Sequence, residues 1–160
     1  FTENSIGRGL VIGGAIGAVV ALILPFLLLR NTTADEVPKL GDIGALIPRT
    51  RGELKYGAGL GLSAGIFEET LFRLALPAVI FGIWPDAPLA FIIATVLFGL
   101  LHLYQKATGV IFATVLGVVF AYLYLVSGSI LVPIVLHVLI DLRSLVLLPL
   151  TLGKVWGKEK

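Results

Sequence analysis

Cysteine and methionine are both absent from the 160 residues, and charged residues make up only 14% of them. Without cysteine the chain has no disulfide, no thiolate metal site and no thiol nucleophile, and its redox compartment cannot be read. Histidine is nearly as scarce, so any imidazole chemistry falls to His102 and His137, the two that exist. A net charge of +2 is too small to argue for a nucleic-acid partner, and none is expected. No polar–apolar alternation suggests a barrel strand. What remains is oil: hydrophobic residues reach 58% and the mean hydropathy is +1.03. A soluble domain is about half apolar and a quarter charged, so the excess points to lipid as the solvent. The chain opens on Phe1 rather than methionine, which leaves room for helices upstream of it.

Five stretches are long enough to cross a bilayer, which takes about 20 apolar residues as helix. They are Leu10–Leu29, Tyr56–Trp84, Pro88–Tyr104, Gly109–Val126 and Ile130–Leu150. The first is too long for a signal-peptide core and lacks a clear small-residue cleavage site. In lipid only helices and closed barrels satisfy their own backbone. The expectation is therefore an all-α, polytopic transmembrane helix bundle of about five spans, one integral-membrane domain over 1–160. Asp86 is a candidate cap for the third helix. The polar segment Arg30–Lys55 reads as a surface loop with room for a short interfacial helix. If Tyr56–Trp84 is one crossing, that loop, Lys106 and the tail place nine Lys/Arg on one side against Arg8 alone on the other. The positive-inside rule makes the nine-charge side, and with it the C-terminus, cytoplasmic, in a multi-pass protein of the cell membrane. Gly9, Gly13 and Gly17 recur every four residues, as do Gly57, Gly61 and Gly65. Such small-residue rows let membrane helices approach closely, so at least one is expected to be a tight helix–helix contact.

Seven ionisable residues interrupt the apolar stretches: Glu68, Glu69, Arg73, His102, His137, Asp141 and Arg143. Keeping such a set in lipid costs on the order of 10 kcal/mol, comparable to a domain's whole net stability. Mutual pairing or a wet cavity must compensate. Glu69 and Arg73 are one helical turn apart and can pair; Glu68 points about 100° away and has no partner on its own helix. Phe98 lies one turn before His102 and can shield its ring. Asp141 lies one turn after His137, where a carboxylate can hold the tautomer and orientation of an imidazole. GLSAG, Gly61–Gly65, matches the G-x-S-x-G pattern of serine hydrolases. That pattern needs a strand-to-helix turn, and this chain offers no strand, so Ser63 is not expected to be a nucleophile.

EETLFR, FGLLH and HVLID fit EExxxR, FxxxH and Hxxx(N/D), in that order and on separate membrane helices. In this the chain resembles the CAAX protease and bacteriocin-processing (CPBP, or ABI) family of type II CAAX prenyl endopeptidase-like intramembrane glutamic proteases. The resemblance covers about 56–150. It implies a helical bundle with a polar cavity open to the cytoplasm, in which Glu68 and His102 hold and activate a water. His137 and Asp141 would stabilise the oxyanion, with Glu69, Arg73 and Phe98 in support. No metal or other cofactor is implied; the partners are the bilayer and a peptide or protein substrate, prenylated C-terminal peptides and bacteriocin leaders included. Two departures stand out. Many relatives carry asparagine where this chain has Asp141, and an ionised aspartate cannot donate to an oxyanion. The family also usually has more helices. Depth fits imperfectly: Glu68 and His137 lie about 18–20 Å from the cytoplasmic helix ends and His102 only about 3 Å. Either Tyr56 lies deeper, or the third and fourth helices meet inside the membrane.

Three other readings compete. A zinc protease would use one or both histidines with Glu68 as ligands, although no HExxH is present. A non-catalytic immunity or scaffold protein would keep the charges for stability alone. A transporter would use them as a proton relay.

Overall fold

The computed structural model describes residues 46–152, and within them every regular element is helical. The expected first span, Leu10–Leu29, and the first glycine row lie outside the described residues. So does most of the polar loop, of which Leu46 onward is seen, ending in a single 3-10 turn at Arg51–Glu53. There the Arg49 N–H donates to the Glu53 carboxylate at 2.7 Å, and this bond holds the carboxyl below its usual range.

Helix α1, Leu54–Glu69, passes into a π-helical turn at Thr70–Ala75 and continues as α2, Leu76–Ile83. Helix α3, Ala87–Leu100, starts on Asp86, whose side chain accepts from the Leu89 N–H at 3.0 Å, as expected of a cap. A 3-10 turn at Leu101–Gln105 then leads into α4, Lys106–Ser127. The chain reverses there. His102 leaves helical geometry (φ −89°, ψ 15°), and Lys106 adopts φ 64°, a left-handed value uncommon for a residue with a Cβ. Helices α3 and α4 form an antiparallel hairpin: a Cβ at Gly99 would strike Thr114, and one at Gly117 would lie 3.1 Å from the Phe98 ring. After Gly128 (φ 64°), which ends α4 in the manner only glycine adopts readily, α5 runs Leu131–Leu142. A second π-helical turn, Arg143–Leu147, leads to α6, Leu148–Leu152.

Each π turn stands two residues before a proline. Pro77 and Pro149 lack the N–H that would bond four residues back, and their rings would crowd that carbonyl. Widening the preceding turn relieves both problems: the N–H groups of Leu76 and Leu148 reach Leu71 and Arg143, five residues back. The helix axis is kept without a break.

Of the five expected stretches, the four within the described residues are all helical, and the first lies outside them. Two stretches are long and apolar enough to cross a membrane, Ala87–Ser127 (the hairpin) and Leu131–Leu150. Leu54–Ile83 matches them in length but carries Glu68, Glu69 and Arg73 at its centre. The depth conflict is resolved in favour of helices that meet partway. Phe98, one turn before His102, packs on Phe72, one turn after Glu68, with ring centroids 5.2 Å apart. The hairpin turn therefore lies level with the middle of the continuous Leu54–Ile83 helix and not with its end.

The second glycine row is a tight contact, and α5 is its partner. A Cβ at Gly57 would sit 2.9 Å from the Leu145 carbonyl, which is also the carbonyl Pro149 cannot bond. At Gly61 it would meet the Asp141 Cβ at 2.9 Å, and at Gly65 the Val138 Cγ2 at 2.5 Å. Backbones this close need glycine on one side. Gly59, on the same helix, faces open space. Gly65→Ala is expected to cost about 1–3 kcal/mol by overpacking. Gly59→Ala should be neutral or stabilising by up to about 1 kcal/mol, through helix propensity. Thermal unfolding of both variants in detergent checks the pair; equal shifts would contradict the packing.

Candidate active site

The centre of the described fold is a buried polar cluster walled by aromatic rings. Glu69, at the C-terminal end of α1, is fully buried and joins three elements. Its Oε2 lies 3.0 Å from Arg73 Nε, one turn further along, and its Oε1 lies 2.8 Å from His137 Nδ1 on α5. The Arg73 N–H groups point off the Glu69 oxygens, so this contact is an ion pair and not a linear hydrogen bond. Arg73 reaches the hairpin as well. Its Nη2 donates to the Gly117 carbonyl at 3.3 Å, and the guanidinium lies 4.7 Å from the Phe98 ring centroid and 5.6 Å from that of Phe120. Such faces attract a desolvated cation.

A carboxylate only accepts, so the 2.8 Å contact places a proton on Nδ1 of His137. The ring is fixed on its other sides by Phe120, stacked at 5.2 Å, and by Phe98, edge-on at 6.1 Å. Nε2 is thereby aimed at two further carboxylates, with Asp141 Oδ2 at 3.7 Å and Glu68 Oε2 at 3.9 Å. Neither distance is a hydrogen bond. Glu68 Oε2 is buried without a hydrogen-bond partner among the described residues, although the Glu68 side chain as a whole keeps 36% of its exposure. Separations of this kind between polar atoms ask for a bridging water.

The carboxylate that hydrogen-bonds His137 is thus Glu69, and not Asp141 as the one-turn spacing suggested. Asp141 stands on the opposite nitrogen. His102 uses its own Nδ1 to donate to the Phe98 carbonyl at 2.8 Å, which leaves Nε2 as the acceptor of the neutral ring. Its ring lies 4.9 Å from that of Phe98, and it is near enough to Asp141 for their charges to interact. The structure therefore gathers Glu68, Glu69 and Asp141 around His137, with Arg73 behind Glu69, and sets His102 at the edge of the group. Ser63 lies within α1 and its hydroxyl donates to the Leu60 carbonyl at 3.0 Å, an ordinary helical back-bond. Among the described residues no three His, Asp or Glu side chains are placed to hold a metal ion.

Three contributors escaped the sequence reading: Phe72, Gly117 and Phe120. A signal existed for the second. Gly109, Ala113, Gly117 and Ala121 are small, buried and spaced by four along α4, the same kind of row as the one on α1. Gly117 admits the Phe98 ring and offers its carbonyl to Arg73. Nothing in the spacing singled out Phe120 from the other apolar residues of α4.

Type II CAAX prenyl endopeptidase Rce1-like is the family whose pattern matches, over residues 51–143, more than half of the chain. No curated protein and no solved structure matches it. The matched segment opens at the 3-10 turn and ends two residues past Asp141, so it contains every residue of the cluster.

Removing Arg73 leaves Glu69 buried without its cation. Arg73→Ala is expected to destabilise the protein by about 3–5 kcal/mol. Arg73→Lys should restore little, because the flat guanidinium sits between two rings while pairing. Thermal unfolding in detergent reads both; a lysine variant as stable as the wild type would contradict the geometry.

Proposed function

We propose that this chain, which belongs to the Rce1-like family of type II CAAX prenyl endopeptidases, is an intramembrane endopeptidase that activates a water without a metal. The observation that carries this reading is the focus of the cluster. Glu68, with a buried oxygen lacking a partner, and Asp141 both face one nitrogen of an imidazole whose other nitrogen is locked. Arg73 Nη1 and the off-line Glu69–Arg73 contact also lack hydrogen bonds, but they lie within the pair itself, whereas the open Glu68 oxygen is turned towards a locked imidazole.

The chemistry follows from elementary roles. Glu68 takes a proton from the water as its oxygen attacks the peptide carbonyl, and His102 accepts a hydrogen bond from the same water through Nε2. His137 serves the charge that develops on the carbonyl oxygen, in a site where aromatic rings exclude solvent and strengthen each electrostatic contact. Glu69 and Arg73 keep the imidazole in register. The substrate is a peptide presented at the membrane, with prenylated C-terminal peptides the first class to try. The site opens to the cytoplasmic side in this reading, which the excess of Lys/Arg in the loops supports.

Purified protein in detergent, given a quenched peptide with a prenylated C-terminus, is the test. Glu68→Gln is expected to lower turnover by about 10²–10⁴-fold, and wild-type activity should survive exhaustive chelation. Equal cleavage by the variant would remove Glu68 from the mechanism. Activity lost to a chelator and restored by zinc would replace the water-activating carboxylate with a metal.

A further inference from the structure

Asp141 faces the one nitrogen of His137 that Glu69 leaves open, and its surroundings are built. Its Cβ rests against α1 where Gly61 supplies the space: a Cβ there would come within 2.9 Å. This contact holds the carboxylate at the mouth of the cluster, one quarter exposed (26%), with Oδ2 3.7 Å from His137 Nε2.

The protons around Nε2 can be counted. Nδ1 already donates to Glu69, so a neutral His137 would present only a lone pair at Nε2. A bridging water brings two hydrogens to three acceptors, the lone pair and the two carboxylates, and cannot satisfy them all. The arrangement is attractive only when one proton lies among Nε2, Asp141 Oδ2 and Glu68 Oε2, whichever atom it is drawn on. The other charged groups that face these three are Glu69 and Arg73 from the α1 side and His102 from the hairpin turn.

We propose that Asp141 is a proton-transferring catalytic residue and not only a donor to an oxyanion: the proton it shares with His137 is the acid of the reaction. The inference rests on the peptidase reading above. Glu68 takes a proton from water as the water oxygen bonds to the carbonyl carbon, and the shared proton passes to the carbonyl oxygen to give a gem-diol. Glu68 then delivers its proton to the amide nitrogen as the C–N bond breaks. A gem-diol hydroxyl returns its proton to the Asp141–His137 pair. The products are a carboxylic acid and an amine, and every group is restored. The site works as a pair of carboxylates with an imidazole between them, one acting as base and the other within the acid.

Asp141→Asn tests this, because the amide matches the carboxyl in shape and can still donate a hydrogen bond but cannot carry the proton. With the same quenched peptide, kcat is expected to fall by about 10²-fold with little change in KM. The alkaline limb of the pH profile of kcat/KM should shift by about one unit or more, because the coupled pair has become a single group. Thermal unfolding near that of the wild type ensures that the loss is chemical. Asp141→Glu serves as a second variant: it keeps a transferable proton, and it is expected to retain more activity than Asp141→Asn. An asparagine variant with wild-type kcat and an unmoved profile would overturn the proposal, as would one more active than the glutamate variant. The two readings fail separately. Activity in Glu68→Gln removes the peptidase mechanism itself, whereas an inactive Glu68→Gln beside a normal Asp141→Asn removes only the acid role of Asp141.

Discussion

The carboxylate of Glu69 is the point at which the separate parts of this fold are joined. One oxygen holds the Arg73 guanidinium at 3.0 Å and the other holds His137 Nδ1 at 2.8 Å. Through Arg73 the same carboxylate reaches the Gly117 carbonyl and the faces of Phe98 and Phe120, so α1, the α3–α4 hairpin and α5 all depend on one fully buried acid. A charge in that position is tolerable only because each of its oxygens has a partner, and removing any member strands the rest. The cluster's cost is thereby turned into geometry: a histidine with one nitrogen spent and the other aimed.

Backbone details make that geometry possible. Helices α1 and α5 approach over Gly57, Gly61 and Gly65 closely enough for Glu68 and Asp141 to face the same nitrogen. The two π turns begin just after the site's carboxylates, the first at Thr70 and the second at Arg143. Each absorbs a proline without breaking its helix, so the chain can change its facing there and stay hydrogen-bonded, a requirement in lipid. The hairpin turn stops level with Glu68, which brings His102 beside the cluster.

Much of this was legible in the residues. The helical class followed from hydropathy and the lack of alternation, and the glycine row on α1 announced a close helix contact. The ion pair of Glu69 and Arg73 followed from four-residue spacing. What spacing could not supply was contact across the chain. Glu69 meets His137, 68 positions away, and so the nearer Asp141 was given a task that Glu69 performs. The break between the third and fourth stretches, after Tyr104 and before Gly109, was legible too, and the reversal falls there, at Gln105–Lys106. Pro77 and Pro149 are accommodated by widening one turn each, which no spacing announces. Phe120 had no signal at all, since its importance lies in what it stacks on.

The central claim is that Glu69 locks the tautomer of His137 and so directs Nε2 towards Glu68 and Asp141. Nitrogen-15 NMR of imidazole-labelled protein in detergent micelles measures this directly. With two histidines in the chain, a His102→Gln variant assigns the His137 signals. The account predicts a protonated, hydrogen-bonded Nδ1 on His137 at every pH at which the protein is folded, with titration confined to the Nε2 side. A neutral His137 carrying its proton on Nε2, with Nδ1 bare, would contradict it.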